Sequence, residues 1–143
     1  MQTIKTITFI VFLMIAFSYT LMAQEKQPDP GPPFTEVADN LNLSKHTARE
    51  VLSYWKEVNG KQVTWQGTVQ SVKNGRGKAQ ILVANSKRKT SNGYNIVLIT
   101  YDMNTATGLK SNQAVSFSGV LYDYKGKKGE PVIIVLDKAV IRE

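Results

Sequence analysis

Apolar residues recur at every second position in five separate segments that follow Lys61. A period of two is typical of β-strands that bury one face, so each segment predicts a strand. Five strands joined by short turns leave few ways to close a hydrophobic core, and this pattern therefore constrains the fold most strongly. The predicted strands are residues 63–70, 79–84, 94–101, 114–124 and 132–141.

Two of these strands have a glycine in their interior, Gly67 and Gly119. Interior glycines mark bulges or sharp bends where a sheet curls into a barrel. The third connection, residues 102–112, is the longest irregular one and has room for a single helical turn. Residues 61–143 therefore predict a mainly β fold, a five-stranded OB-like Greek-key barrel preceded by an N-terminal α-helix. An OB barrel usually has a helix between strands three and four. This connection is short for such a helix, so we expect the helix that precedes the strands to cap the barrel.

The chain before the strands divides into a tether and a helical segment. Residues 24–34 hold four of the chain's five prolines and predict an extended tether. Residues 35–60 predict the N-terminal helix, with Ser44 as its N-cap and Asn59-Gly60 at its C-terminus. Its apolar positions, at three- and four-residue steps, are Ala48, Val51, Leu52, Trp55 and Val58.

Residues 1–23 have the composition of a secretory signal peptide. Lys5 precedes an apolar run, residues 7–17, and the small residue Ala23 suits the position before a cleavage site. A spanning helix needs about 20 apolar residues, so we expect cleavage after Ala23 and no stable membrane span, with an uncleaved anchor as the alternative. Export of a chain without Cys favours a bacterial periplasm or the cell exterior.

The positive charge of this basic protein is concentrated in the strand region. The chain carries a formal net charge of +7, and residues 73–128 alone hold ten basic and two acidic side chains, a net of +8. In an OB barrel the loops between strands one and two and between strands four and five flank the ligand groove. Both loops are basic here, and two tyrosines beside the second are candidate stacking platforms. The predicted ligand-binding residues are Lys73, Arg76, Lys78, Tyr122, Tyr124, Lys125, Lys127 and Lys128.

Other aromatic residues have a structural interpretation. Trp65 shares its face with the apolar residues of the first strand and is expected in the core, whereas Trp55 is expected to join the helix to the barrel. Tyr94 and Tyr101 have opposite parity on the third strand, so one faces the core and the other faces outward. Glycine and lysine are also ordinary residues of soluble turns, and the basic loops have this second interpretation.

Short motifs resemble a known family. Trp55 lies near the end of a predicted helix, which is followed by Gly60-Lys61-Gln62-Val63 and by Gly67-Thr68-Val69. A helix, Gly-Lys-x-Val and a strand with Gly-x-Val resemble the opening of small exported bacterial OB-fold proteins of the tRNA-anticodon-like family. Residues 112–121 resemble their fourth strand and residues 132–141 their last. The resemblance implies an OB fold like that of nucleic-acid-binding barrels, and ligand binding only by analogy.

The sequence favours binding over catalysis. It has no Cys and a single His, His46, which excludes thiolate and multi-histidine metal sites. Asp102 and Asp123 belong to no acidic cluster that a metal-dependent nuclease would need. Residues 36–51 resemble the core of helix-turn-helix regulators, yet a proline-rich tether precedes them and strands follow. No catalytic residue, metal or cofactor is predicted.

Two functions from different classes fit these observations. The first is an exported, non-enzymatic OB-fold module that binds single-stranded nucleic acid or another extended polyanion through its basic loops. The alternative is a periplasmic or envelope component that binds a protein or glycan and has no role with nucleic acid.

Overall fold

A computed structural model describes residues 27–143 of the chain. The predicted signal peptide, residues 1–23, lies outside the described residues. The strands are β1 Gln62–Asn74, β2 Ala79–Ala84, β3 Ile96–Thr100, β4 Ala114–Lys125 and β5 Ile133–Arg142. The helices are α1 Phe34–Asn40, α2 Ala48–Val58 and, between β3 and β4, α3 Met103–Gly108. In this part of the chain no helix has the length and apolar character required to cross a membrane.

The five strands close into a barrel in the order β1-β2-β3-β5-β4. β1 pairs with β4 through its first half and with β2 through its second half, both antiparallel. β3 pairs with β2 antiparallel and with β5 in parallel, and β4 and β5 form an antiparallel pair. This order, with five strands and one parallel contact, is that of an OB-like barrel. The predicted fold class is confirmed.

The bend of β1 occurs at Gly67, where the strand changes partners. The next residue, Thr68, pairs with both Ala84 of β2 and Ala114 of β4. A Cβ atom on Gly67 would overlap the Val83 side chain and lie 2.9 Å from the Ala84 carbonyl oxygen. Glycine is therefore required here because the two backbones approach closely.

The helices before β1 complete the core of the barrel. Phe34 packs edge-on against Trp65, with ring centroids 5.3 Å apart, and Trp65 is buried as predicted. The same core cluster includes Val37, Val51 and Val58. Among the predicted apolar helix positions, Ala48 and Leu52 are exceptions because both are exposed, Leu52 by 49%.

The predicted helical segment is two helices, and the predicted N-cap is wrong. Thr47 caps α2: its hydroxyl accepts the Glu50 amide at 3.3 Å, and the Glu50 carboxylate accepts the Thr47 amide at 2.8 Å. This reciprocal arrangement needs a Glu or Gln three residues after the cap, which Thr47 has and Ser44 lacks. These bonds lower the pKa of Glu50. The Ser44 hydroxyl instead accepts the Gly129 amide at 3.0 Å.

Residues 27–33 of the predicted tether form no helix or strand, and part of this segment is bound to the barrel. The Pro30 carbonyl accepts the Thr64 amide at 2.9 Å, and the Pro32 carbonyl accepts the Trp65 indole N–H at 2.9 Å. Between them Gly31 has a φ of 69°, and a Cβ atom there would overlap the Gln62 carbonyl oxygen. Glycine is required at this position for both reasons.

We expect Gly31→Ala to lower the free energy of unfolding by about 2–3 kcal/mol, because a strained φ and a backbone clash act together. Gly60→Ala is the matched control: its φ is 85°, and nothing lies within 4 Å of its Cβ position. The control should cost about 1 kcal/mol from backbone strain alone. Chemical denaturation measures both values, and equal losses would contradict the packing of this segment on β1.

An ion-pair cluster joins α1 to the β2–β3 loop. Arg88 donates from Nε and Nη2 to the two carboxylate oxygens of Asp39, at 2.8 and 2.5 Å. Lys45 donates to the same carboxylate at 3.1 Å. The hydrogen bonds from Arg88 are the largest cause that lowers the pKa of Asp39 from its ordinary value of 3.8 to about 2.

This pKa predicts an acid-dependent contribution to stability. A carboxyl with a lowered pKa stabilises the fold above its unfolded-state pKa, and the contribution is lost as pH falls from about 4 to about 2. Asp39→Asn should therefore cost about 1 kcal/mol at neutral pH, since the pair lies near the surface, and almost nothing once the pH is well below the folded-state pKa of about 2. Urea denaturation across pH measures the difference. Glu57→Gln, an exposed change on α2, should give a small difference without that pH dependence.

Candidate ligand-binding face

The outer face of the sheet formed by β2, β3 and β5 has an apolar centre. Leu82 pairs with Val97, and Val97 pairs with Val135, so the three residues form a row across the strands. They alternate with core residues of the same strands and are not part of the core cluster. Leu82 and Val135 are nevertheless only 7% and 8% exposed. We call this surface the outer face.

Two exposed tyrosines stand at one end of the outer face. Tyr101 directly follows β3 and is 57% exposed, and Tyr122 of β4 is 59% exposed. The β2–β3 register pairs Ala79 with Thr100, so one step further it brings Tyr101 opposite Lys78. In the barrel, β5 alone separates the strand that leads to Tyr101 from the strand that carries Tyr122. We call Tyr101 and Tyr122 the tyrosine pair.

A carboxylate of β5 contacts this pair. The Tyr101 hydroxyl donates to Asp137 Oδ1 at 3.3 Å, and the Lys138 amide donates to the same oxygen at 2.8 Å. Lys138 has a φ of 51°, an unusual left-handed conformation for lysine. The charge of Asp137 is the first cause that raises the pKa of Tyr101, so this phenol keeps its proton at neutral pH.

Three of the predicted lysines lie at the edges of the outer face. Lys73 pairs with Gln80 at the end of β1, Lys78 precedes β2, and Lys125 ends β4 opposite Ile133. All three lysines are exposed. Arg76 is exposed in the turn between β1 and β2.

The two basic loops do not meet. The β1–β2 loop leads into Ala79, which pairs with the last residue of β3, whereas the β4–β5 loop leads into the start of β5, which pairs with Ile96 at the start of β3. The loops are therefore separated by the length of β3, about 13 Å for four residue steps.

The β4–β5 loop is bound to the helical end of the barrel. The Gly129 amide donates to Ser44 in the turn between α1 and α2, and Lys128 lines a surface depression with residues 43–48 of that turn. Lys127 is exposed in the same loop. Of the predicted basic residues, Lys127 and Lys128 thus lie apart from the tyrosine pair.

Tyr124 does not share a face with Tyr122, contrary to the strand alternation. The β4–β5 register shifts between Leu121 and Asp123, which places one extra residue on β4. After this bulge Tyr124 pairs with buried Ile134, and its ring centroid lies 4.9 Å from that of Trp55. Tyr124 therefore joins the helix to the barrel, and Trp55 has its predicted role.

Two residues beside Tyr122 were absent from the predicted site. Tyr101 faces outward, as the parity argument allowed for one of the two tyrosines, whereas Tyr94 is half-buried ahead of β3. The sequence could have indicated Tyr101, because it ends the predicted third strand and the alternation of that strand leaves one of the two tyrosines facing outward. Asp137 had none, because its contact with Tyr101 depends on how β3 and β5 pair across the barrel.

Two clefts lie away from the outer face. One of about 410 Å³ lies at the bend of β1 and is lined by residues that include Thr68, Lys87 and Glu143. Another of about 220 Å³ surrounds the Asp39–Arg88 pair. Across residues 27–143 no group of three or more His, Asp or Glu side chains is arranged to hold a metal ion.

Comparison with known proteins gives similar folds at low identity. No family model matches the sequence, and no curated protein matches it. Similar solved structures include "OBody AM3L09 bound to hen egg-white lysozyme", 14% identical over 59% of this chain and 84% of that chain with a TM-score of 0.43. OBody AM1L10, also bound to hen egg-white lysozyme, is 15% identical over 61% and 83%, with a TM-score of 0.42.

An aspartyl tRNA synthetase from Entamoeba histolytica is 10% identical over 59% of this chain and 19% of that chain, with a TM-score of 0.41. At these identities and TM-scores the similarities carry no inference about ligand or activity. The OB-like assignment follows from the strand order of the barrel itself.

We expect Asp137→Asn to lower the pKa of the Tyr101 hydroxyl, because the nearby negative charge is removed. NMR-monitored titration measures this pKa, with Tyr101→Phe identifying the signal. Asp123→Asn makes the same charge change on β4 and should have a smaller effect, since Asp123 bonds its neighbouring Tyr124 amide. Equal shifts in the two variants would contradict the contact between Tyr101 and Asp137.

Proposed function

We propose that this chain is an exported, non-catalytic OB-fold binding module that holds single-stranded nucleic acid across its outer face. The observation that carries the proposal is the exposed tyrosine pair at one end of that face, with Lys78 opposite Tyr101 in the strand register. Aromatic platforms beside basic groups are the combination that single-strand binding needs.

Each part of the outer face has a physical role in this proposal. Stacking of a base on an exposed aromatic ring contributes about 1–3 kcal/mol and does not depend on which base it is. Lysines neutralise backbone phosphates and release counterions, which makes binding salt-dependent. Tyr101 directly follows β3 and Tyr122 lies on β4, and β5 separates these two strands. Two strand spacings are about 10 Å, so the rings can receive different bases of one extended strand.

We propose two different roles for the predicted basic residues. Lys73, Lys78 and Lys125 border the outer face and are the proposed phosphate contacts. Lys127 and Lys128 belong to the loop bound to the helical turn, and we propose that they serve solubility.

The proposed location is a bacterial periplasm or the cell exterior. Its support is the sequence pattern of residues 1–23 together with the absence of Cys from the chain.

We expect oligonucleotides of about ten nucleotides to bind at low ionic strength, a length within the site size of an OB barrel. Replacing Lys73 and Lys78 together by Gln should weaken binding and lower the slope of log affinity against log salt by about 1.4, since two phosphate contacts are lost. The matched control replaces Lys127 and Lys128 by Gln and should leave the slope nearly unchanged. Fluorescence anisotropy measures both.

Absence of binding by the wild-type protein at low salt would overturn the proposed function. Equal effects of the two double variants would show that net charge, and not the outer face, governs binding.

A second candidate is an envelope component that binds a protein or glycan. The carboxylates of Asp123 and Asp137 favour it, since they repel a phosphate backbone. Under this alternative a partner would stay bound after Lys125, Lys127 and Lys128 are all changed to Ser.

A further inference from the structure

Asp137 is an unusual neighbour for aromatic platforms that bind a polyanion. Its carboxylate lies on β5, between the strand that leads to Tyr101 and the strand that carries Tyr122. A negative charge at this position weakens non-specific phosphate binding. Its presence beside two exposed rings is therefore better explained by contact with a base edge.

The two oxygens of this carboxylate differ in their bonding. Oδ1 accepts the Lys138 amide at 2.8 Å and the Tyr101 hydroxyl at 3.3 Å. Within residues 27–143, Oδ2 has no hydrogen-bond partner. The bond from Tyr101 is long, so its hydroxyl can leave Oδ1 at little cost. One oxygen is thus open to a ligand, and the other can become open.

The backbone holds this carboxylate at some energetic cost. Lys138 has a φ of 51°, and the β4–β5 register is irregular on both sides of the pair formed by Val120 and Asp137. Left-handed non-glycine residues and bulges of this kind are frequent at binding sites, where they aim a side chain. Here they direct Asp137 toward the Tyr101 hydroxyl.

We propose that Tyr101, Tyr122 and Asp137 form a subsite that reads guanine in the single strand bound to the outer face. The rings stack bases, and the carboxylate of Asp137 accepts the N1–H and the exocyclic amino group of one guanine. This proposal rests on the nucleic-acid binding proposed above.

The donor pattern of the bases selects guanine. A carboxylate only accepts hydrogen bonds, and its two oxygens match two adjacent donors. Guanine presents such a pair on its Watson–Crick edge. Adenine and cytosine place their amino group beside a ring nitrogen that repels the carboxylate, and thymine flanks its N–H with two carbonyls. Single strands leave these edges accessible.

The test compares oligonucleotides of about ten nucleotides that differ at one central base in a thymidine background. We expect the guanine version to bind the wild-type protein about tenfold more tightly than thymidine alone, the usual gain from a matched base contact. Hypoxanthine in place of guanine lacks the exocyclic amino group and should lose most of this preference. This arm changes the ligand only, so it is independent of protein folding.

The protein variants are Asp137→Asn and its matched control Asp123→Asn. Asp137→Asn should remove the guanine preference while binding to thymidine alone is kept or strengthened, because a repulsive charge is removed. Asp123→Asn should keep the preference.

Salt-dependent binding with equal affinity for guanine, hypoxanthine and thymine would overturn the subsite and leave the proposed function intact. Equal loss of preference in both variants would also overturn it. No binding to any oligonucleotide at low salt would overturn the proposed function itself.

Discussion

The close approach of β1 and β2 at Gly67 is the contact on which the barrel depends. At this point β1 leaves β4 and joins β2, and Thr68 pairs with both neighbours. A side chain at Gly67 would occupy the place of the Val83 methyl group and meet the Ala84 carbonyl. Without this approach one strand could not belong to both halves of the barrel, and the core between them would stay open.

A second set of irregularities determines which side chains reach the outer face. The register shift between Leu121 and Asp123 turns Tyr124 toward Trp55, while Tyr122 stays on the outer side as the alternation predicts. The left-handed Lys138 belongs to the facing strand, where Asp137 meets Tyr101. Bulges re-aim side chains without changing the strand order, so the same barrel can carry different surfaces.

The structure also separates charges that are close in sequence. Residues 73–128 hold a surplus of positive charge, yet Arg88 is paired with Asp39 of α1. Lys128 lies near the turn between the helices, and Lys78 lies opposite Tyr101. The basic residues of this segment therefore lie in three different environments. Among the three, only the part beside the tyrosine pair places a lysine next to exposed aromatic rings, which is why the proposed function is centred there.

The sequence by itself determined the strands, their order of appearance and the burial of Trp65. These features follow from alternation and turn residues, which act over a few neighbouring positions. The predicted N-cap failed because Ser44 and Thr47 are both good capping residues, and the choice depends on Glu50 three residues after Thr47.

Only the tertiary structure decided the separation of the basic loops and the meeting of Tyr101 with Asp137. Both depend on strand register across the barrel, between residues 36 positions apart in the second case. A bulge shifts register by one residue and reverses the faces beyond it, as Tyr124 illustrates. Such a shift is set by packing between strands, so the alternation of apolar residues within a single strand does not predict it.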